Sequence, residues 1–514
     1  MSQSRRDFIK FIVAGSVATG CPIEESLLSC PEPAAAGGAI VNGEHYETCH
    51  KLRDNFPFDR PPATRNAAVV IIGGGIAGLS AAYFLQKRDF LLLEKEARFG
   101  GNALQEEFRG AAYSTGSAYA FKGDEADQLA RELGLPLLPV ENPDPTIIKG
   151  AFVADTWRSG LDQLPYSQDV RDSFKKFRDI ARKIDTKTNA NDLDQEPFSK
   201  YTAGLAPEVQ QWLDGLGLSD WGAATAESSA LAGFRGLEGF IGDAPDGRVT
   251  LPGGLGAVSH KLVEVLQAKQ RERMLWGATV VAVVPGKGEV QVTYQHNQKL
   301  VTIAAKAVLM CTPKFITSRI ISVIPNEQKL AMRHIRYAPY PVVNLIFEKP
   351  VYSRGYDTWC PGNTFTDFVV ADWTVRNQPG YQQKYNILTA YTPLREPQRR
   401  NLLAEDECKT LAAAVLKDFQ GLLPEFHVNP VEVHIYRRGR AMFMPTPGTY
   451  SKTIPAARAP MERIFFGNAD SGGPESMASE AIRISRIGAQ WAEKLLAGKP
   501  RAQDFAVHAL AASA

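Results

Sequence analysis

The stretch AAVVII, followed at once by GGGIAGLSAAYFLQKR, constrains this chain more than any other. A short run of branched apolar residues from Ala67 reads as a strand buried on both faces. The residues after it have helical character, and DFLLLEK is a second apolar strand that ends in an acid. Strand, glycine turn, helix and strand make one βαβ unit. Gly73, Gly75 and Gly78 place GxGxxG at its turn. The first glycine allows the tight turn, the second lets backbone approach a pyrophosphate, and the third lets the helix pack close to the sheet. Phosphates there would meet the free N–H groups of Ile76 and Ala77 and the positive end of the helix dipole. Glu94 closes the second strand about twenty residues on, placed to accept hydrogen bonds from a ribose, with Lys95 beside it. The unit predicts dinucleotide binding.

Composition narrows the rest. Lys and Arg number 58 against 56 Asp and Glu, a formal charge of +2, which argues against a nucleic-acid binder working through a broad basic face. Hydrophobic residues at 44% argue against general disorder. No apolar run approaches the ~20 residues a helix needs to span a bilayer. A length of 514 residues predicts two or more domains.

The chain opens MSQSRRDFIKFIVAGSVATGC, a basic pair before a short apolar stretch too brief to span a membrane. Ser4, Arg5, Arg6, Phe8 and Lys10 resemble the twin-arginine motif of bacterial export signals, over residues 1–30. That resemblance implies a chain exported already folded by the twin-arginine machinery, to the periplasm or beyond. Cys21 follows Ala18-Thr19-Gly20 as in a lipoprotein processing site, so a lipid anchor there and ordinary cleavage near residues 33–38 both stand open. Six cysteines without a CxxC pair predict neither a disulfide scaffold nor a structural zinc site, and no metal is expected. Residues 31–66 lack sustained periodicity and read as a linker. Within it HYETCH, with Cys49 and His50, has Tyr46 where haem attachment would want a cysteine. A local packing role is favoured over a haem or metal site.

The residues after Glu94 distinguish between dinucleotides. EKEARFGGN sets Gly100, Gly101 and Asn102 just beyond the acid, and AYSTGSAY follows around Gly116 and Ser117. Here the chain resembles the flavoprotein superfamily of amine oxidases, protoporphyrinogen oxidases and carotenoid desaturases. Further matches come in the family's order: LPGGLGAVSHKLVEVL, the strand GATVVAVV near Val280, AVLMCTP, and RIFFGNADSGGPESMASEA with Gly467 and Asp470. The resemblance implies FAD, with Asp470 near the ribityl chain and a helix from about Ser476, led by Met477, aimed at the flavin. It implies an α/β fold, a Rossmann-type FAD domain from residues 67–146, 247–313 and 455–500. An α+β substrate domain from 147–246 and 314–454 is interleaved with it, and 501–514 form a tail.

The implied activity is hydride transfer from an amine or a similar small reduced molecule to flavin, with oxygen or a redox carrier as electron acceptor. Two positions depart from the amine-oxidase pattern. YPVVNLIFEKP sets Asn344 where the family carries a lysine, and Met477 stands where an aromatic flanks the substrate. Asn344, Tyr436 and Met477 are candidate pocket residues, and no general base is assigned. Dehydrogenation of the desaturase or porphyrinogen-oxidase kind, and a membrane-tethered electron-transfer subunit, remain as alternatives.

Overall fold

The apolar run after residue 66 is a strand, but a longer one than its pattern predicts. In the computed structural model Ala63–Ile72 lies between Phe90–Leu93 and Lys299–Met310, parallel to both. The structure describes residues 38–141, 144–242, 245–473 and 476–498. The export motif, Cys21 and the tail 501–514 lie outside the described residues. The strand's first four residues, Ala63 to Asn66, are exposed and pair with Thr302–Ala304, so no apolar periodicity marks them.

Met274–Leu275 flanks Phe90–Leu93, and Ile464–Phe466 joins Lys299–Met310 in parallel. The strands Thr279–Pro285 and Val290–His296 extend this sheet as an antiparallel ribbon. Phe90–Leu93 is buried throughout, as parallel strands covered on both faces must be. The helix Ile76–Phe84 and the closing helix Ala478–Leu496 share one core, with Val69, Leu79, Ile482 and Trp491. Gly488 lets the closing helix approach: a Cβ there would come within 2.9 Å of the Phe465 ring. Trp491 then packs on Phe465 with ring centroids 5.6 Å apart.

The second sheet has eight strands, and Asn386–Tyr391 and Asp367–Val370 lie at its centre, with Val342–Phe347 beside the first. Helices Gln168–Ala181, Pro207–Asp220 and Ala230–Ile241 close around an aromatic core that includes Trp157, Trp212 and Phe198. Helix Glu405–Leu422 contributes Cys408, Val415 and Phe419 to a further core beside the sheet. Strands of the two sheets alternate along the chain, which is the interleaving the family resemblance implies.

Residues 31–66 are not linker throughout. Ile40–Gly43 forms an edge strand parallel to His434–Arg437, and Glu47–Arg53 is a helix. The strand has four residues and the helix buries none of its own, so neither carries a periodic apolar face for sequence to reveal.

Replacing Trp491 by Ala should cost about 3–5 kcal/mol, the usual range for emptying a buried aromatic site. Urea unfolding should show a lowered midpoint with an unchanged slope.

Candidate functional site

The turn between Ile72 and Ile76 is built from positions where side chains do not fit. Gly73 sits at φ +103°, and a Cβ on it would lie 2.6 Å from the Cys311 carbonyl oxygen. A Cβ on Gly78 would lie 1.8 Å from the Gly73 carbonyl oxygen, so helix and turn meet backbone to backbone. Gly75 caps the helix without a side-chain acceptor, which leaves the first helical N–H groups to whatever occupies the space before them. Gly100 donates its N–H to Gly74 at 2.8 Å, and Gly101, at φ +60°, packs on Gly75, where a Cβ would come within 2.9 Å. The second glycine pair thus locks onto the first loop.

These residues border a cavity of about 1020 Å³. That is the upper end of ordinary ligand sites, large enough for a dinucleotide together with a small substrate. Gly73, Gly75, Ile76, Ala77, Glu94, Lys95, Gly101, Asn102, Gly116, Ser117, Val280, Asp470, Met477 and Tyr436, all expected from sequence, line it. Gly78, Gly100 and Gly467 do not; they act by close packing, Gly467 against the Cys311 sulfur, where a Cβ would stand at 3.3 Å.

Glu94 is 7% exposed, and its oxygens accept from the N–H groups of Gly74 at 2.5 Å and Glu96 at 2.8 Å. Burial pushes its carboxyl up in pKa while those N–H groups and Lys95 oppose the shift. A carboxylate has about four lone-pair sites, so acceptor capacity remains for ribose hydroxyls. Arg438 donates to the carbonyl of Gly101 at 3.1 Å and to Thr115 Oγ1 at 3.1 Å, yet its buried Nε has no partner. Other atoms of Arg438 border the cavity, so its guanidinium sets positive charge there for an anionic ligand. The glycine cradle, the held acid and this charge fit FAD.

Asp470 is held more firmly than sequence implies. Its Oδ1 accepts from Lys314 Nζ at 2.8 Å, and its Oδ2 from the Lys314 N–H at 2.7 Å and the Tyr337 hydroxyl at 2.5 Å. Neither side chain of the ion pair is more than 1% exposed. Burial pulls the Lys314 ammonium down and Asp470 pulls it back, while the Tyr337 hydroxyl is raised well above its ordinary value by burial and by Asp470. Nothing in the sequence marks Lys314, which stands alone after a strand.

Met477 caps the closing helix with no side-chain bond, and Ser476, Met477 and Ala478 line the cavity, so the helix N-terminus borders it. Glu480 turns away to the Gly473 N–H and to Arg483, 2.8 Å distant. Tyr436 borders the cavity with its hydroxyl 3.1 Å from that of Tyr113. Asn344 is a correction: it is fully buried outside the cavity, donating its amide to Ser114 O at 3.0 Å and Thr389 Oγ1 at 2.8 Å. Val342, two residues earlier on the same strand, is the one that reaches the cavity. The strand is a regular ladder there, and the two positions share a face, so sequence alone could not choose between them.

The segment read as linker supplies wall as well. Asn42 to Tyr46 and Cys49 line the cavity. His45 Nδ1 lies 2.6 Å from Glu96 Oε2, Lys95 Nζ donates to the His45 carbonyl at 3.1 Å, and the Arg437 guanidinium stacks over Tyr46. Burial raises the Cys49 thiol, and Lys95 opposes it. Among the described residues no cluster suited to a metal ion occurs, and no helix is long and apolar enough to cross a membrane.

A family model described as flavin containing amine oxidoreductase matches residues 76–490. Oxidoreductase PigB of Serratia sp. (strain ATCC 39006) is 21% identical over 496 residues, covering 80% of this chain and 73% of that protein. Polyamine oxidase 3 of Oryza sativa subsp. japonica is 26% identical over 293 residues, 52% of this chain and 57% of the relative. Cyclohexylamine oxidase from Brevibacterium oxydans IH-35A shares the fold, with a TM-score of 0.66 at 19% identity over 84% of this chain and 99% of that one.

Removing one partner of a buried ion pair leaves the other charge uncompensated, at about 3–5 kcal/mol. Lys314→Met should therefore lower stability by that amount, and Lys314→Met/Asp470→Asn should recover part of it. Thermal unfolding of the two variants checks this.

Proposed function

The chain belongs to the flavin containing amine oxidoreductase family, and on that premise we propose that it is an exported FAD-dependent enzyme that oxidises an amine at the carbon next to nitrogen. The observation that carries the reading is the single cavity bordered by the Gly73 turn, by Glu94 and by the Met477 helix end together. Bound FAD supplies the two-electron acceptor for that C–H bond. The chain's own part is placement and electrostatics.

The N–H groups at Ile76 and Ala77 would hold a pyrophosphate, and Glu94 would accept from ribose hydroxyls. The Arg438 guanidinium would add positive charge to the cavity. The N-terminus of the closing helix presents partial positive charge where electron density gathers on reduction. Val342, Phe443 and Met442 give that region an apolar wall that keeps water from the reacting carbon. Loss of hydride from an amine leaves an iminium, which water cleaves to a carbonyl compound and the free amine or ammonia. Val342 is the residue of its strand that lines the cavity and it cannot ionise, so alignment of the C–H bond supplies the rate enhancement in this reading.

Two outcomes test this. Under anaerobic conditions at least one member of a panel of primary amines, diamines and amino acids should bleach the flavin's visible absorbance; a panel without effect would sink amine oxidation. Arg5→Lys/Arg6→Lys should leave the chain in the cytoplasm while the unaltered protein fractionates outside it, and equal distribution of both would refute export by the twin-arginine route.

A further inference from the structure

Residues 40–53 lie wholly before those the family model matches, yet they form one wall of the cavity. Asn42, Gly43, Glu44, His45, Tyr46 and Cys49 all border it. The segment crosses from one sheet to the other. Ile40–Gly43 pairs in parallel with the His434–Arg437 edge of the second sheet. Thr48, in the helix Glu47–Arg53, donates its hydroxyl to Gln295 Oε1 on the ribbon of the first sheet at 3.3 Å. At the strand end Gly43 meets Arg437 closely, and a Cβ there would lie 2.2 Å from its Nε.

Between these ends the segment is fastened beside the acid placed for the ribose. His45 donates its N–H to the two Glu96 oxygens at 3.1 and 3.2 Å, and its Nδ1 lies 2.6 Å from Oε2. Lys95 donates to the His45 carbonyl at 3.1 Å and also to Glu96. Lys95 and Glu96 follow Glu94 directly, and the Glu96 N–H donates to Glu94 Oε1 at 2.8 Å. The seat of the segment and the seat of a ribose are therefore one short run of chain. Elsewhere the hold is thin: the strand has four residues, and the helix buries none of its own. A segment with so little apolar burial opens locally, at less than the cost of unfolding the whole chain.

We propose that residues 40–53 are a strap that closes the nucleoside end of the cavity over FAD and sets how fast the cofactor is lost. This rests on FAD occupying the cavity and is independent of the substrate that the flavin oxidises. The coupling is reciprocal, since a ligand that favours the seated strap is itself retained by it. Release then proceeds through opening of the strap while the two sheets stay folded. Cys49 supplies a reporter: it borders the cavity and is half-buried, whereas Cys311, Cys360 and Cys408 are buried.

The test follows FAD release from the holoenzyme by the return of free-flavin fluorescence after dilution, and alkylation of Cys49 by N-ethylmaleimide through peptide mass spectrometry. Cys49 should react at least about tenfold faster in the FAD-free protein, as local protection by a closed segment predicts. His45→Glu sets a carboxylate against Glu96, and Gly43→Val crowds Arg437 at the other anchor. Each should speed FAD release at least about fivefold, the scale of one lost contact to a charged group, with alkylation of the holoenzyme rising in parallel. Phe174→Leu, in the aromatic core away from the cavity, should lower the melting temperature and leave release unchanged. Unchanged release in both strap variants would overturn the strap, as would equal alkylation of Cys49 with and without FAD. Release that quickens as much in Phe174→Leu would reduce the effect to general destabilisation and overturn it too. Where Gly43→Val does not fold, His45→Glu decides alone. A protein that takes up no FAD refutes the cofactor and the strap together, whatever amines it is offered.

Discussion

The contact between the Gly73 carbonyl and the Cα of Gly78 is the constraint on which the site depends. It brings the helix Ile76–Phe84 down onto the turn so closely that a Cβ would stand 1.8 Å from that oxygen. Only with the helix seated there do its free N–H groups face the cavity, and only then does Gly101 reach Gly75. Glu94, tied to the Gly74 N–H, fixes the same turn from the side of the neighbouring strand. One backbone approach thus sets the phosphate cradle, the ribose acceptor and the second glycine pair together.

The closing helix is positioned from the other end of the chain by comparable means. Gly488 admits it against Phe465, and the Asp470 turn that leads into it is pinned by Lys314 and Tyr337. A buried ion pair is a weak source of net stability, since desolvation offsets its attraction. Its effect here is directional: three donors leave Asp470 no freedom, and the strand Ile464–Phe466 and the helix after it keep a fixed relation to the cavity.

What sequence made legible were the features whose chemistry is local. Gly73, Gly75 and Glu94 belong to one βαβ unit, and their spacing carries its own geometric meaning. Asp470 and Met477 were readable through the order of motifs. Residues whose role arises by contact across the fold were not. Lys314 meets Asp470 across 156 positions, and Arg438 meets Asn102 across 336. The strand Ile40–Gly43 exists because an edge at His434–Arg437 accepts it, which no pattern in four residues could announce. Asn344 lies outside the cavity while Val342, two positions earlier, lines it, and the two-residue repeat of a strand sets both on one face.

Charge in the cavity is divided by type. Arg438 and the helix N-termini at Ile76 and Met477 gather positive potential where a pyrophosphate and a reduced flavin carry negative charge. Asp220, Asp357 and Asp367 also line the cavity, beside tyrosines, and burial raises the Asp357 and Asp367 carboxyls above their ordinary values. Each group costs stability when the cavity is empty, because an incompletely paired buried charge is unfavourable. Arg248 offsets part of that cost, holding Asp144 at 2.7 Å and Asp246 at 3.0 Å and reaching Asp357 at 3.4 Å, while Arg438 is turned to Gly101 and Thr115. The helix N-termini and Arg438 suit the anionic portion of a dinucleotide, so the cofactor completes electrostatics that the chain leaves open there.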